Sequence, residues 1–271
     1  MADRMYQFGF IGMGNMGYAI LKGLLGVYSP EKITFSARNQ EKIQDIAART
    51  DVKPSENNRA CASSCKYLVL AVKPQQLDAV MEEIRDAVDE SQIVISIAPG
   101  ITMENLRKRF GKPCRIVRAM PNTPASVGEG MTAIAPGTRA SSEFIHDAQI
   151  IFDALGKEVV VNERQLDELG ALSGAGPGYA FVIIDALADA GVLIGLPRKM
   201  AIEAAAQTLY GAARMVLETG RHPAQLRDEV TSPGGTTIAG IYAMEKRGLR
   251  AALIDGVKAC LDKSDEMSRK K

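Results

Sequence analysis

Near the start of the chain an apolar run, Phe8-Gly9-Phe10-Ile11, ends in glycines spaced Gly12-Met13-Gly14-Asn15-Met16-Gly17. This GxGxxG spacing suits the capture of a pyrophosphate at a strand-to-helix turn. Gly12 permits the tight turn, Gly14 lets the backbone approach the phosphates, and Gly17 lets helix and strand pack closely. The amides of the first helical turn, with their partial positive charge, then face the anion. Gly12, Met13, Gly14, Asn15, Met16 and Gly17 are therefore the expected dinucleotide cradle.

Which dinucleotide is expected follows from the end of the second strand. A site built for NAD usually places a carboxylate there to bond the ribose 2′-hydroxyl. Here the strand ends Thr34-Phe35-Ser36-Ala37-Arg38-Asn39, and Glu41 falls in the first turn of the next helix. Ser36 and Asn39 can donate hydrogen bonds, and Arg38 brings a fixed cationic fork. The trio predicts that NADP(H) is preferred, with NAD(H) as the alternative.

Three later segments offer further chemistry. Ala71-Val72-Lys73-Pro74 follows a strand, where the C-terminal ends of strands face the cofactor cleft. Lys73 there is either a contact or a surface lysine. Met120-Pro121-Asn122-Thr123-Pro124 is a stiff loop beyond another strand, with Asn122 counted among the cofactor contacts. Val230-Thr231-Ser232-Pro233-Gly234-Gly235-Thr236-Thr237 opens a helix with two glycines and four hydroxyl residues. It reads as an anion nest, or more simply as a turn with Ser232 or Thr236 capping the helix.

Other reactive side chains offer less. His146 falls in a charged helix and His222 precedes a proline at a helix start, so surface or capping roles suit both. Asp185 and Asp189 share a helix face and suit a polar face or an interface bond better than an acid/base pair. Cys61, Cys65, Cys114 and Cys260 form no zinc or disulfide framework, and no cluster has metal-ligand spacing.

These residues need a scaffold, and the chain supplies an alternating one. Strands are expected at about residues 7–11, 33–36, 67–71, 93–97, 115–118, 132–135 and 159–161. Helices are expected between them at about 16–25, 40–49, 75–88, 102–110 and 142–155. Continuous apolar runs such as Leu68-Val69-Leu70-Ala71-Val72 suit a parallel sheet buried on both faces. The fold class is therefore α/β, a doubly wound Rossmann-type sheet over residues 1–161. Residues 162–271 are all-helical, with helices at about 163–173, 178–194, 198–218, 223–230 and 236–246, and another from 249. So small a helical unit buries its apolar faces poorly alone and is expected to pair with a second copy. The charged tail from residue 264 is expected to fray.

Composition narrows the class. The 271 residues carry a net charge of +1, which argues against a nucleic-acid or anionic-membrane partner. The chain starts almost directly on a strand, so a cytoplasmic protein is expected. The apolar stretch at residues 179–196 is interrupted by two aspartates and two glycines and suits a buried or interfacial helix better than a membrane span.

Taken together, the GxGxxG turn, residues 71–74, 118–124, Ser173-Gly174-Ala175-Gly176-Pro177, DAGVLIGLPR at 189–198 and DEVTSPGGTT at 228–237 resemble the pyrroline-5-carboxylate reductase family over nearly the whole chain. The last is the most specific. The resemblance implies hydride transfer from a nicotinamide cofactor to the cyclic imine 1-pyrroline-5-carboxylate, giving L-proline. It also implies a helical dimerisation domain, a substrate site shared between subunits, and a homodimer with a higher assembly of dimers left open. It implies that Ser232, Gly234, Gly235, Thr236 and Thr237 bind substrate, with Thr237 near the ring nitrogen as the catalytic residue. It places Asn58 against the cofactor, and Ala71, Val72, Lys73 and Pro74 beside its nicotinamide half. Gly220-Arg221 departs from relatives with polar or acidic groups there. The nearest rival is a β-hydroxyacid dehydrogenase, which needs a Lys followed four residues later by Asn on the helix at 178–191; neither is present. A non-enzymatic NADP(H) sensor would need no prepared nest at 231–237.

Overall fold

Strands rich in Phe, Ile, Val and Leu must bury both faces, and the helices between them do the covering. A computed structural model describes residues 4–137 and 142–269. They fall into two compact units, one formed by the chain up to Ala175 together with the stretch from Cys260, the other by Gly176–Ala259.

The first unit is built on eight strands: β1 (Tyr6–Ile11), β2 (Ile33–Ser36), β3 (Lys53–Pro54), β4 (Cys65–Leu70), β5 (Ile93–Ser96), β6 (Arg115–Met120), β7 (Gly130–Pro136) and β8 (Gly156–Val160). Their order across the sheet is β3-β2-β1-β4-β5-β6-β7-β8. β1 lies between β2 and β4, parallel to both, with Phe10 opposite Phe35 and Val69. Successive connections leave β1 in opposite directions, and the crevice at that switch point is where such sheets bind ligands.

Alternation divides the core in two. Phe8, Phe10, Phe35 and Val69 face one way. They pack on Ile20, Leu21 and Leu24 of α1 (Asn15–Leu24), Ile46 of α2 (Gln40–Thr50) and Ile151 and Phe152 of α6 (Ser142–Asp153). Ile11, Leu68, Leu70 and Val94 face the other way. There they meet Cys61 of α3 (Asn58–Ser64), Leu77 and Met81 of α4 (Pro74–Ile84) and Leu106 and Phe110 of α5 (Met103–Phe110). Burial holds the Cys61 thiol at a pKa of about 12, so it stays protonated and inert as a packing group.

The fold departs from the expected pattern in three ways. β7 runs antiparallel to β6, with Val117 opposite Pro136. The linking segment holds only a short 3-10 turn, Thr123–Val127, and a parallel return needs a crossover of a dozen or more residues. The short elements β3 and α3 add to the expected set. The expected helix at 163–173 divides into α7 (Glu163–Leu169), with a capping box between Asn162 and Gln165, and a π-helical turn at Gly170–Gly174.

A buried cation fastens α7 to the sheet. Arg118, only 2% exposed, donates to Glu163 at 2.7 Å and to Asp167 at 2.9 Å. Asn122 works nearby: its Nδ2 donates to the Ser173 carbonyl and its Oδ1 accepts from the Met131 amide, both at 2.9 Å.

The second unit holds α8 (Gly176–Leu193), α9 (Arg198–Thr219), α10 (Pro223–Glu229), α11 (Thr236–Lys246) and the start of α12 (Leu249–Arg269). α12 continues helically to Arg269 where fraying was expected from residue 264; residues 270 and 271 lie outside the described residues. α8 and α9 meet through small residues, Ala188 and Gly191 against Ala201 and Ala205. A methyl group at Gly191 would come within 2.8 Å of the Ala201 Cβ. Asp189 pairs with Arg198 at 2.6 Å, which gives that aspartate a structural bond. Much of the remaining apolar surface is bare in the single chain: Leu193 is 86% exposed, Ile194 79% and Leu217 73%. By length and composition the helical run Glu163–Leu193 could cross a membrane, though only 11% of its apolar window is buried within the chain.

Candidate active site

The glycine turn after β1 closes on its neighbours. Gly12 takes φ of +94°, its amide donates to the Ser36 carbonyl at 2.9 Å, and the Ala71 amide donates to the Ile11 carbonyl at 2.9 Å. A Cβ at Gly12 would lie 2.7 Å from Val72 Cγ1 and 2.8 Å from the Ala71 carbonyl, so only glycine fits. Gly17 is buried, and a Cβ there would come within 2.6 Å of the Gly12 carbonyl. Gly14 differs, with no atom within 4 Å of where its Cβ would be. That open position lies at the N-cap of α1, where no side chain caps the helix. The amides of Asn15, Met16 and Gly17 begin the helix, beyond reach of any preceding helical carbonyl. The turn thus offers donors and room for an anion to approach them.

A cavity of about 580 Å³ opens at this turn. Of the expected cofactor residues it is lined by Gly12, Met13, Gly14, Ser36, Arg38, Asn39, Asn58, Ala71, Val72 and Lys73. Asn15 and Met16 sit in the first turn of α1, Gly17 packs beneath it, and Pro74 begins α4; none of the four lines the cavity. Asn122 does not line the cavity either; its amide braces Ser173 and Met131, because backbone groups in that tight corner need partners.

The polar end of the cavity is closely connected. Asn39 caps α2, its Oδ1 accepting from the Lys42 amide at 2.9 Å, so it retains its NH2 group for a ligand. Ser36 Oγ donates to Asn58 Oδ1 at 2.8 Å, and Asn58 Nδ2 donates to Glu83 at 2.7 Å. Lys42 and Glu83 both line the cavity and escaped the sequence reading. Lys42 lies three residues beyond the capping asparagine. Glu83 shares a helical face with Gln76 and Val80 of α4, and that spacing becomes a signal once one knows the face fronts the cleft.

The hydroxyl-rich segment belongs to the second unit. Gly234 takes φ of +70° and the Gly235 amide donates to the Ser232 carbonyl at 3.0 Å. Gly235, in extended conformation, is the N-cap of α11, and no side chain caps that helix. Neither Ser232 nor Thr236 therefore plays the capping part. The amides at the start of α11 are left to a ligand or water. Thr231 is turned away, its hydroxyl donating to the Arg227 and Asp228 carbonyls at 3.1 Å. Arg221 clamps Glu229 through both guanidinium nitrogens, which steadies the approach to the segment. His222 caps α10, its Nδ1 accepting from the Ala224 amide at 3.1 Å, and His146 is exposed on α6. Among the described residues no group of three acidic, His or Cys side chains is placed to hold a metal.

Comparisons with known proteins follow the same division. Residues 163–267 match the family described as pyrroline-5-carboxylate reductase dimerisation. Residues 7–100 match the family described as NADP oxidoreductase, coenzyme F420-dependent. The chain is 41% identical over 266 residues to pyrroline-5-carboxylate reductase of Methanosarcina acetivorans, covering 97% of this chain and 98% of that one. It is similar to the solved structure of the Coxiella burnetii pyrroline-5-carboxylate reductase, with a TM-score of 0.90, 38% identity and coverage of 97% and 99%. It is also similar to the Plasmodium falciparum pyrroline carboxylate reductase solved with NADP bound, with a TM-score of 0.87, 30% identity and coverage of 97% and 98%.

Proposed function

The chain belongs to the pyrroline-5-carboxylate reductase family, and on that premise we propose how its residues divide the work of reducing 1-pyrroline-5-carboxylate to L-proline. The cavity at the end of β1 and β4 holds NADP(H), and the nest at Ser232, Gly234, Gly235, Thr236 and Thr237 holds the substrate carboxylate. The observation that carries the first assignment is the open position at Gly14 beside an uncapped helix start. Residues 1–161 form the dinucleotide-binding domain and residues 162–271 the substrate and dimerisation domain.

When bound, the cofactor supplies the hydride. The protein's own residues bind and orient. A protonated cyclic imine is already a good electrophile, so no strong general base is required. Amides at the start of α11 grip the carboxylate and fix one face of the ring. The Thr237 hydroxyl hydrogen-bonds the ring nitrogen and helps keep its proton there. Alignment of this kind supplies several kcal/mol of the barrier. Asn15, Met16 and Gly17 contribute backbone amides, Lys73 and its neighbours Ala71, Val72 and Pro74 flank the nicotinamide half, and Asn122 stiffens the loop beyond β6.

Cofactor choice rests on Ser36, Arg38, Asn39 and Lys42, which face the cavity with donors and positive charge. We expect kcat/KM to be higher with NADPH than with NADH. Arg38→Ala should narrow that ratio about tenfold, the value of one hydrogen bond to a charged group; steady-state kinetics with both cofactors checks it. Wild-type protein that prefers NADH would defeat the assignment.

The bare apolar helices of the second unit fit a homodimer, the state that the matched dimerisation family describes. That pairing accounts for the apolar run Glu163–Leu193 without a membrane, in keeping with a cytoplasmic enzyme. Sedimentation at micromolar concentration should give at least a dimer; a monomer there removes the pairing. One assay tests the reaction: NADPH oxidation on adding 1-pyrroline-5-carboxylate. Turnover of 3-hydroxy acids instead, or binding without turnover, would overturn it.

A further inference from the structure

At one end of the cofactor cavity three side chains form a directed chain. Ser36 Oγ donates to Asn58 Oδ1 at 2.8 Å, and Asn58 Nδ2 donates to Glu83 Oε2 at 2.7 Å. They come from three different elements, the end of β2, the start of α3 and the last turn of α4, and all three line the cavity. The direction of the chain follows from chemistry. A carboxylate only accepts hydrogen bonds, so Glu83 draws the NH2 end of the Asn58 amide toward itself. The carbonyl end then faces Ser36, and a carbonyl oxygen also only accepts. The Ser36 hydroxyl must therefore donate to it.

Ser36 has one proton. With that proton engaged, the hydroxyl meets a ligand with its lone pairs. Lone pairs suit a ribose hydroxyl, which can donate. They are mismatched to a phosphate, which accepts. Ser36 is nearly buried, at 5% exposure, so this polarity is not readily relieved by solvent. Arg38, Asn39 and Lys42 around the same end of the cavity favour the phosphate.

We propose that Glu83 is a specificity-determining positioning residue: through Asn58 it sets the hydrogen-bond polarity of Ser36, and so weighs a 2′-hydroxyl against a 2′-phosphate on the cofactor. The proposal rests on the reading that this cavity holds the adenosine half of NADP(H). Glu83 counters the cationic residues and keeps NAD(H) acceptable to a site otherwise built for NADP(H). In Glu83→Gln the new amide can accept as well as donate. Asn58 is then able to turn over, accept at Glu83's position no longer being forbidden, and present its NH2 to Ser36. The Ser36 hydroxyl is then free to donate a hydrogen bond to the phosphate.

The test is binding, measured by calorimetry with NADP⁺ and NAD⁺ on the wild-type chain, Glu83→Gln, Ser36→Ala, the double variant of these two, and Arg38→Ala. Glu83 is on an exposed helical turn, and thermal melting confirms folding of each variant. Glu83→Gln should raise the affinity ratio of NADP⁺ over NAD⁺ about tenfold, the scale of one added hydrogen bond to a charged group. In the Ser36→Ala background the same substitution should move the ratio by less than about threefold, because only the bare charge effect remains. An equal shift in both backgrounds overturns the proposal, since Glu83 then acts by charge alone, and so does an unchanged ratio in Glu83→Gln. A different result marks failure of the underlying reading: Arg38→Ala and Ser36→Ala would leave both affinities unchanged.

Discussion

Replacing Thr237 by alanine should lower kcat/KM about ten- to a thousandfold, the range for losing one hydrogen bond to a reacting group. Thr237 is exposed in the single chain and lies in the first turn of α11. Alanine is a better helix former than threonine, so the melting temperature should hold or rise. That separation makes the result interpretable. The loss should fall chiefly on kcat, because the hydroxyl matters most as hydride reaches the ring carbon and the C=N electron pair moves onto nitrogen, and Thr237→Ser should recover much of the rate because it keeps the hydroxyl. An alanine variant with wild-type turnover would remove Thr237 from the reaction and leave the carboxylate nest to the backbone of Gly235 and Thr236 alone.

The second large effect concerns the glycine turn. Gly14→Ala should weaken NADPH binding about ten- to a hundredfold, because the added methyl occupies space that the phosphates need; overpacking by one such group is worth about 1–3 kcal/mol. The free protein should barely notice. Gly14 has φ of −68°, which alanine adopts without strain, and nothing lies within 4 Å of the new atom. Gly17→Ala makes the contrast. Its methyl would press to within 2.6 Å of the Gly12 carbonyl and 3.0 Å of the Ala71 Cβ, so it should lower the melting temperature of the protein even without cofactor. Fluorescence titration with NADPH beside a thermal melt distinguishes the two. Unimpaired NADPH binding by Gly14→Ala would move the pyrophosphate away from this turn.

Much of the scaffold was legible because burial leaves a pattern. β4 ends and β5 begins in continuous apolar runs, Leu68-Val69-Leu70 and Ile93-Val94-Ile95, and the structure covers both their faces. The helices of the second unit are bounded by Gly195, Gly220 and Gly248, all at positive φ, which the sequence announces as breaks. What stayed hidden carries no such mark. β3 is two exposed residues, Lys53 and Pro54, with no apolar signal. α3 is seven residues long, too short for periodicity to show. The reversal between β6 and β7 depends on which strand edge the chain reaches, and hydropathy is the same for either direction. In the site, the glycine turn and the Ser36–Asn39 corner were legible because they are local in sequence. Glu83 was not, since its place depends on the packing of α4. At Asn122 a polar residue between two prolines reads as a ligand contact, and nothing local in the sequence announces that its amide also serves the protein's own backbone.

The uncovered side chains on α8 and α9 have a consequence for how this protein must be handled and how it tolerates change. When association hides such a surface, mass action links folding to the amount of protein present, and dilution alone lowers the melting point. A substitution at Leu193 or Leu217 could then undermine the enzyme without breaking any bond inside one chain. Selection on these positions would act through the partner each molecule keeps rather than through the chemistry it performs.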